Sequence, residues 1–255
     1  MTRGPRASVG FRPDWPASPN VRAWVSERAG GVSEGPYASL NLGAHVGDAP
    51  AAVEENRRRL GAYAGLPAAP VWLEQVHGAR VVDLDAEPVE PADGAVTGRP
   101  GVVCAVLTAD CLPVLLCDRD GRRVGAAHAG WRGLSAGVLA NAVRRMAVAP
   151  ESLVAWLGPA IAQGAFEVGE EVRAAFVERD AAAAEHFVPN ARGRWQADLY
   201  GLARRSLAAA GVRAIHGGGL CTFSAAERFF SHRREAPCGR FASLIWLESP
   251  GKPPR

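Results

Sequence analysis

The chain has 255 residues, 48% of them apolar and 22% charged, with a formal net charge of +3. This composition is typical of a soluble globular protein, and so small a charge on scattered arginines does not indicate a nucleic-acid partner. No stretch reaches the roughly 18 apolar residues that cross a bilayer, and the N-terminus lacks the apolar segment of a signal peptide. We therefore expect a cytoplasmic protein with no membrane contact.

The first third of the chain predicts an irregular arm, a strand and a helix. Residues 1–20 are rich in proline and polar residues and predict the arm. A strand is expected to begin at residue 21 and to end before the glycine and proline turn signals that follow. Residues 49–67 carry apolar side chains at helical spacing, with Asp48 as the expected N-cap. Residues 70–84 predict one or two strands.

The middle of the chain is rich in β-branched and apolar residues. Residues 101–118 predict two buried strands with residues 109–112 between them, and residues 122–130 predict a third strand. The segment that follows has one apolar helical face, and Pro150 is expected to end that helix. A further buried strand is expected at residues 152–161.

The last third predicts two amphipathic helices at residues 170–180 and 197–211, and two strands at 212–220 and 241–249. We find no internal repeat and no low-complexity linker. The sequence therefore predicts an α+β protein with a single domain over residues 21–248, followed by a flexible tail at 249–255. The five cysteines form no CxxC pair and are expected to be reduced thiols.

Three side chains of this domain suit a metal site. Cys111 falls at the break between two predicted strands, His128 near the end of a third, and His77 at the end of a strand-like run. Two imidazoles and a thiolate suit Zn²⁺ and leave a fourth position open. Two alternatives remain: a metal-free Cys–His nucleophilic pair, which does not need His77, and residues that only fill the core.

Motifs along nearly the whole chain, from about residue 10 to 248, resemble those of the YfiH family. The family has been labelled polyphenol oxidase, purine nucleoside phosphorylase and peptidoglycan editing factor. Two small departures from its pattern are Phe166, where tyrosine is common, and the histidine of "FFSHRR", where tyrosine is also common. The motifs include "SERAGGVSEGPYASLNLG", "VWLEQVHG", "TADCLPVLL", "AHAGWRG", "LGPAI", "CTF" and "GRFASLIWL".

The resemblance implies that His77, Cys111 and His128 are the zinc ligands. It also implies mixed β-sheets packed as a sandwich-like core flanked by helices. The implied activity is phosphorolysis of adenosine, inosine and methylthioadenosine, with adenosine deamination as a second activity. Copper competes for such a site because divalent affinity peaks at copper.

The oxidase label is the less favoured of the family's activities. A multicopper oxidase needs several copper centres, whereas the chain has six histidines and no HxH pair. His186 is expected to lie on the surface. A hydrolase acting on muropeptide precursors would share the same site and is not excluded by fold.

The expected partners are purine nucleosides and phosphate, and we expect a monomer or a weak homodimer.

Asp110 and Gln75 adjoin proposed ligands and are predicted to orient a ligand or water. Asp110 is also included among the predicted catalytic groups, with Cys111 and His128. The backbone at Gly130–Trp131 predicts an anion site at a helix start. The side chains predicted to bind substrate are Arg28, Asn41, Arg57, Gln75, Arg132 and Arg233.

Overall fold

A computed structural model describes residues 8–249 of the chain, which form thirteen strands and six α-helices. The strands are β1 (Gly10–Phe11), β2 (Val21–Ser26), β3 (Val81–Asp83), β4 (Gly94–Thr97), β5 (Val103–Thr108), β6 (Leu112–Asp118), β7 (Val124–Ala129), β8 (Leu153–Leu157), β9 (Glu167–Val168), β10 (Phe187–Pro189), β11 (Trp195–Ala197), β12 (Ala214–Gly217) and β13 (Phe241–Leu247). The helices are α1 (Pro50–Ala64), α2 (Trp131–Ser135), α3 (Val138–Arg145), α4 (Glu170–Val177), α5 (Leu199–Ala209) and α6 (His232–Glu235).

The strands form three sheets. The six-stranded sheet has the order β12-β8-β6-β7-β4-β3, and the four-stranded sheet has the order β1-β2-β13-β5. A small third sheet has the order β10-β11-β9. Strands β5 and β6 follow each other in sequence but belong to different large sheets, so the short connection between them passes from one sheet to the other.

The two large sheets pack face to face. Because side chains alternate along a strand, Leu115 and Cys117 of β6 face Val106 of β5 and Phe241 of β13 in one core cluster. The other face of β6, including Leu116, packs with the apolar faces of the helices that follow β7. The four-stranded sheet has its own outer cluster, which includes Leu60 of α1. The expected sandwich-like core flanked by helices is confirmed.

Two segments differ from the sequence prediction. His77 does not end a strand, because residues 77–79 form a bend and β3 begins only at Val81. The helix predicted after residue 130 is two helices, separated where Gly137 adopts a left-handed φ of 95°. The second of them ends at Arg145, ahead of Pro150, which instead begins a 3₁₀ turn.

The ends of the domain also differ in detail. The predicted irregular arm contains β1, which pairs with Val25 and Ser26, and its residues 1–7 lie outside the described range. Of the predicted tail, only residue 249 is described. Asp48 is not the N-cap of α1: that residue is Ala49, while the Asp48 carboxylate accepts hydrogen bonds from Ser33 and Asn41.

All five cysteines are free thiols, as expected, and Cys104 and Cys117 are buried in the core. His186 is not a fully exposed surface residue, because its side chain is 18% exposed beside Glu185 and Asp198. Within residues 8–249, no helix has both the length and the apolar character needed to cross a membrane.

Candidate metal centre and its cavity

The thiol of Cys111 lies where the chain crosses between the two large sheets. Asp110 takes a φ of 91° in this crossing, and its carbonyl accepts a 2.9 Å hydrogen bond from the Ile161 N–H. The register of β6 and β7 places Leu112 opposite Ala129. Cys111 therefore sits beside Gly130, and a Cβ added to that glycine would lie 2.9 Å from the Cys111 Sγ.

The His77 imidazole is presented by a bend that one carboxylate holds in place. Asp93 accepts hydrogen bonds from three successive backbone N–H groups, those of Val76 (3.2 Å), His77 (2.9 Å) and Gly78 (2.6 Å). His77 adopts a left-handed φ of 58°, which histidine tolerates better than bulky or β-branched residues. Asp93 therefore fixes both the shape of this loop and the direction of its imidazole.

The same carboxylate also orients His128. Asp93 Oδ1 lies 2.8 Å from His128 Nδ1, and the Asp93 carbonyl accepts a 2.6 Å bond from the His128 N–H. Both side chains are almost completely buried. Because Nδ1 is engaged by a carboxylate, Nε2 is the ring atom free to face Cys111, which is the arrangement common for metal-ligating histidines.

Three side chains converge at this point. The ligand atoms of His77, Cys111 and His128 lie within 4.8 Å of one another, and among residues 8–249 no other group of three His, Cys, Asp or Glu is placed to hold a metal. A tetrahedron with Zn–N of 2.0–2.1 Å and Zn–S of 2.3 Å has edges of roughly 3.3–3.6 Å. The donor set therefore fits zinc after small side-chain movements, and a three-ligand set leaves a fourth position open.

The thiol and the buried imidazole polarise each other. Burial opposes ionisation of Cys111, but the His128 charge and hydrogen bonds from His128 and His77 outweigh it and lower the pKa of the thiol. Burial likewise opposes charging of His128, while the Cys111 thiolate and the Asp93 carboxylate raise the pKa of the imidazole. Both shifts favour the thiolate form of Cys111, which is the form that binds a metal ion.

The three side chains open on a cavity of about 410 Å³, within the range of small-molecule sites. Asp110 is the one carboxylate among its lining residues, whereas three arginines and four histidines line it. Aromatic surface comes from Trp131 and Phe166. The full lining consists of His45, Gln75, His77, Leu107, Thr108, Ala109, Asp110, Cys111, His128, Trp131, Arg132, Ile161, Phe166, His232, Arg233 and Arg240.

Four of the other sequence-predicted side chains line this cavity. Arg132 lies over the Trp131 ring, and Arg233 lies over Phe166 while donating to the Glu167 carbonyl. Gln75 bonds both backbone groups of Leu107, so it ties the His77 loop to β5 and does not contact His77 by hydrogen bond.

The Asp110 carboxylate lines the cavity with both of its oxygens hydrogen-bonded to the protein. Its Oδ1 accepts a 2.6 Å bond from the Thr222 hydroxyl and its Oδ2 a 2.7 Å bond from the Arg233 N–H. Both oxygens are therefore engaged in holding two segments against the cavity. This arrangement fits a positioning residue better than a catalytic one.

Three predicted substrate contacts lie outside the lining of the cavity. Arg28 donates to Ala38 and Glu235 and lies over Phe230. Arg57 donates twice to the Leu42 carbonyl and lies over a tryptophan ring. Both guanidinium groups thus donate to acceptors within the protein, and their contact with substrate stays a prediction.

Asn41 is the third residue outside the lining. It is fully buried, and its amide bonds the Gly43 backbone, the Asp48 carboxylate and the Arg240 N–H. These hydrogen bonds fix the turn around Asn41, and its contact with substrate stays a prediction. The anion site predicted at Gly130–Trp131 is also weakened, because α2 has only five residues and sums few peptide dipoles.

The sequence reasoning missed Asp93, His45 and Arg240. Asp93 precedes a glycine at the start of a short strand, and nothing in that pattern distinguishes it from an ordinary turn residue. Both departures from the family pattern, Phe166 and His232, line the cavity. Neither lies among the three converging ligands.

Comparison with known proteins finds relatives that match nearly the whole chain. A family model described as multi-copper polyphenol oxidoreductase laccase matches residues 22–248. A purine nucleoside phosphorylase of Pseudomonas aeruginosa is 58% identical, and the purine nucleoside phosphorylase YfiH of Escherichia coli is 56% identical; each alignment covers 92% of this chain and 97% of the relative. The chain belongs to the YfiH family.

Solved YfiH-family structures share the fold. A Neisseria meningitidis protein is 48% identical and superposes with a TM-score of 0.90 over 95% of this chain and 100% of its own. The YfiH protein of Bacillus licheniformis is 31% identical, with a TM-score of 0.84 over 89% and 93% of the two chains. The α+β architecture is thus that of the family.

Proposed function

We propose that this YfiH-family protein is a zinc-dependent purine nucleoside phosphorylase of the cytoplasm. Its substrates would be inosine, adenosine and methylthioadenosine with phosphate, and adenosine deamination would be a second activity. One observation carries the proposal: an open three-ligand centre lies in a cationic, partly aromatic cavity of nucleoside size. The relatives named purine nucleoside phosphorylase, at 56% and 58% identity, support it.

The proposed metal ligands are His77, Cys111 and His128. Zinc held there would supply a Lewis acid that draws electron density from a substrate atom. Asp93 keeps Nδ1 of His128 protonated and so leaves Nε2 as the donor. We assign no proton transfer to Asp110, because both of its oxygens already accept hydrogen bonds.

The other residues that line the cavity suit the two substrates of a phosphorolysis, a purine nucleoside and phosphate. A phosphate oxygen attacks ribose C1′ as the C1′–N9 bond breaks, and the purine leaves with the bonding electrons and takes up a proton. The Trp131 and Phe166 rings provide flat apolar surface for a purine. The cations provide charge for phosphate, which guanidinium groups bind in a bidentate manner.

Copper-dependent phenol oxidation is the rival function, since the matching family model is described as a laccase. A multicopper oxidase builds several copper centres from many histidines. The chain has six histidines in all, and within residues 8–249 one three-ligand group is placed for a metal. We therefore favour a mononuclear site, and activity with added copper would reflect substitution at it.

The test is to assay zinc-loaded protein on inosine with and without phosphate, beside a phenol and a muropeptide precursor. We expect hypoxanthine and ribose 1-phosphate only when phosphate is present. Cys111→Ala should lose both zinc and activity. The control Cys117→Ala removes a buried thiol of β6, the strand that follows Cys111, and should keep both. Oxygen uptake with the phenol, or muropeptide cleavage, without inosine turnover would overturn the proposal.

A further inference from the structure

Arg240 precedes β13 and lines the cavity, and hydrogen bonds of its own backbone hold it in position. Its N–H donates to Asn41 Oδ1 (2.9 Å), and its carbonyl accepts from the Leu42 N–H (3.0 Å). Its side chain lies directly over Gly43, where an added Cβ would meet the Arg240 Cγ at 2.8 Å. The stem of the guanidinium is therefore fixed before any ligand binds.

The guanidinium itself is only partly used by the protein. Nη1 donates to the carbonyls of Cys238 (2.8 Å) and Gly239 (3.1 Å), whereas Nε and Nη2 have no acceptor within residues 8–249. Nor does any carboxylate of that range form an ion pair with Arg240. The result is an anchored fork whose Nε–Nη2 edge is available, the geometry that binds a phosphate through two parallel hydrogen bonds.

The two other arginines of the cavity are less prepared for this task. Arg132 and Arg233 are exposed, whereas Arg240 is partly buried. A guanidinium that is partly withdrawn from water interacts more strongly with an anion and loses less side-chain freedom on binding it. Arg240 is thus the best preorganised cation in the cavity.

A histidine lies near Arg240. His45 lines the same cavity two residues beyond Gly43, and burial together with the charges of Arg240, Arg57 and His77 lowers the pKa of His45. A neutral imidazole can still donate one N–H to an anion. The one carboxylate in the lining, that of Asp110, is already occupied by Thr222 and the Arg233 N–H.

We propose that Arg240, with His45 beside it, forms the subsite for a phosphate dianion, and that this dianion is the inorganic phosphate of the phosphorolysis. The inference rests on the proposed function and adds the residue that holds its second substrate. The alternative source of the same chemistry is the 5′-phosphate of a nucleotide. The Arg240 guanidinium would bind a nucleotide phosphate through the same two hydrogen bonds. Free phosphate would then not be needed at this position.

The test compares zinc-loaded wild type with Arg240→Met, Arg240→Lys and the control Arg119→Met. Arg119 is an exposed residue just beyond the opposite end of β6 from Cys111. Phosphate binding is measured by calorimetry with inorganic phosphate alone, and the KM for phosphate is measured with saturating inosine. Inhibition by inosine 5′-monophosphate is measured in parallel, with circular dichroism and zinc content as checks on each variant.

We expect Arg240→Met to weaken phosphate binding and raise the phosphate KM by about 10- to 100-fold, the loss of a charge-assisted bidentate contact. The inosine KM should change little. Arg240→Lys should fall between wild type and Arg240→Met, because lysine keeps the charge and loses the fork. Arg119→Met should match wild type.

Three outcomes would overturn the subsite: no phosphate binding by wild type, equal binding by wild type and Arg240→Met, or a loss in Arg240→Met confined to inosine 5′-monophosphate. The proposed function fails in a different way. If inosine turnover does not depend on phosphate while Arg240→Met still loses phosphate binding, the phosphorylase assignment is wrong and the subsite stands.

Discussion

Replacing Asp93 with asparagine tests the centre at the residue that aligns two of its ligands. The carboxylate accepts four hydrogen bonds, two at each oxygen: Oδ1 from the His77 N–H and His128 Nδ1, and Oδ2 from the Val76 and Gly78 N–H groups. Asparagine has the same shape but one accepting oxygen. In either orientation of the amide, two donors therefore lose their acceptor and face an NH₂ group.

Each orientation damages the site in a definite way. If the NH₂ group takes the position of Oδ2, the Val76 and Gly78 N–H groups are left without acceptors and the His77 loop loosens. If the NH₂ group takes the position of Oδ1, His128 must accept a hydrogen bond at Nδ1 and carry its proton on Nε2. Nε2 is then no longer available to bind the metal. Loss of such an outer partner typically lowers metal affinity by about 10- to 100-fold, or roughly 1.4–2.8 kcal/mol.

The assay is zinc affinity at neutral pH by competition with a chromogenic chelator, with thermal unfolding in excess chelator to separate folding from metal binding. The control is Asp118→Asn, an equally buried carboxylate that accepts backbone N–H bonds from Arg122 and Arg123 at the other end of β6. Asp118→Asn should keep wild-type zinc affinity. Wild-type affinity in Asp93→Asn as well would refute the reasoning.

Further outcomes are expected at the other residues of the site. His77→Ala should lose phosphorolysis and deamination of adenosine together while remaining folded by circular dichroism; deamination lost alone would show that zinc has another role. In chelator-treated protein, Cys111 should be alkylated by iodoacetamide at pH 7 faster than an ordinary thiol, whose pKa is about 8.5, because its lowered pKa leaves more thiolate. Zinc should protect it, as measured by mass spectrometry of its peptide, and a rate that rises only near pH 8.5 would contradict this. Asp110→Asn should retain activity within about tenfold, since the amide can donate to the Thr222 hydroxyl and accept from the Arg233 N–H; a loss of about 100-fold or more in kcat would identify a catalytic base.

Much of the fold was predictable because the strong patterns are local. Strands β5 to β8 are continuous apolar runs, and each formed close to where its pattern indicated. The helix predicted at residues 197–211 is also present, as α5, and begins after Asp198 as its N-cap. Such signals depend on neighbours in sequence, so one sequence is enough to read them.

The roles of the polar residues were less predictable, because they depend on distant partners. Asp93 acquires its role from His128, 35 positions further along the chain, and Arg240 from Asn41, 199 positions away. Arg28 and Arg57 lie in family-like motifs, yet backbone carbonyls occupy their guanidinium groups. Whether an arginine is free for a ligand is a property of the packed structure, which sequence spacing does not encode.

The position of the site follows from the way the chain changes sheets. Packed sheets lie about 10 Å apart, and three extended residues span about that distance, so the connection Ala109–Cys111 between β5 and β6 is short for its task. It is held by the left-handed φ of Asp110 and by the bond from Ile161 to its carbonyl. This crossing fixes the thiol, while Asp93 fixes both imidazoles. The crossing and the Asp93 carboxylate thus align three ligands at the junction of the sheets. Segments from both layers meet there to form the cavity, including the start of α2 with Arg132 and the residue before β13, Arg240.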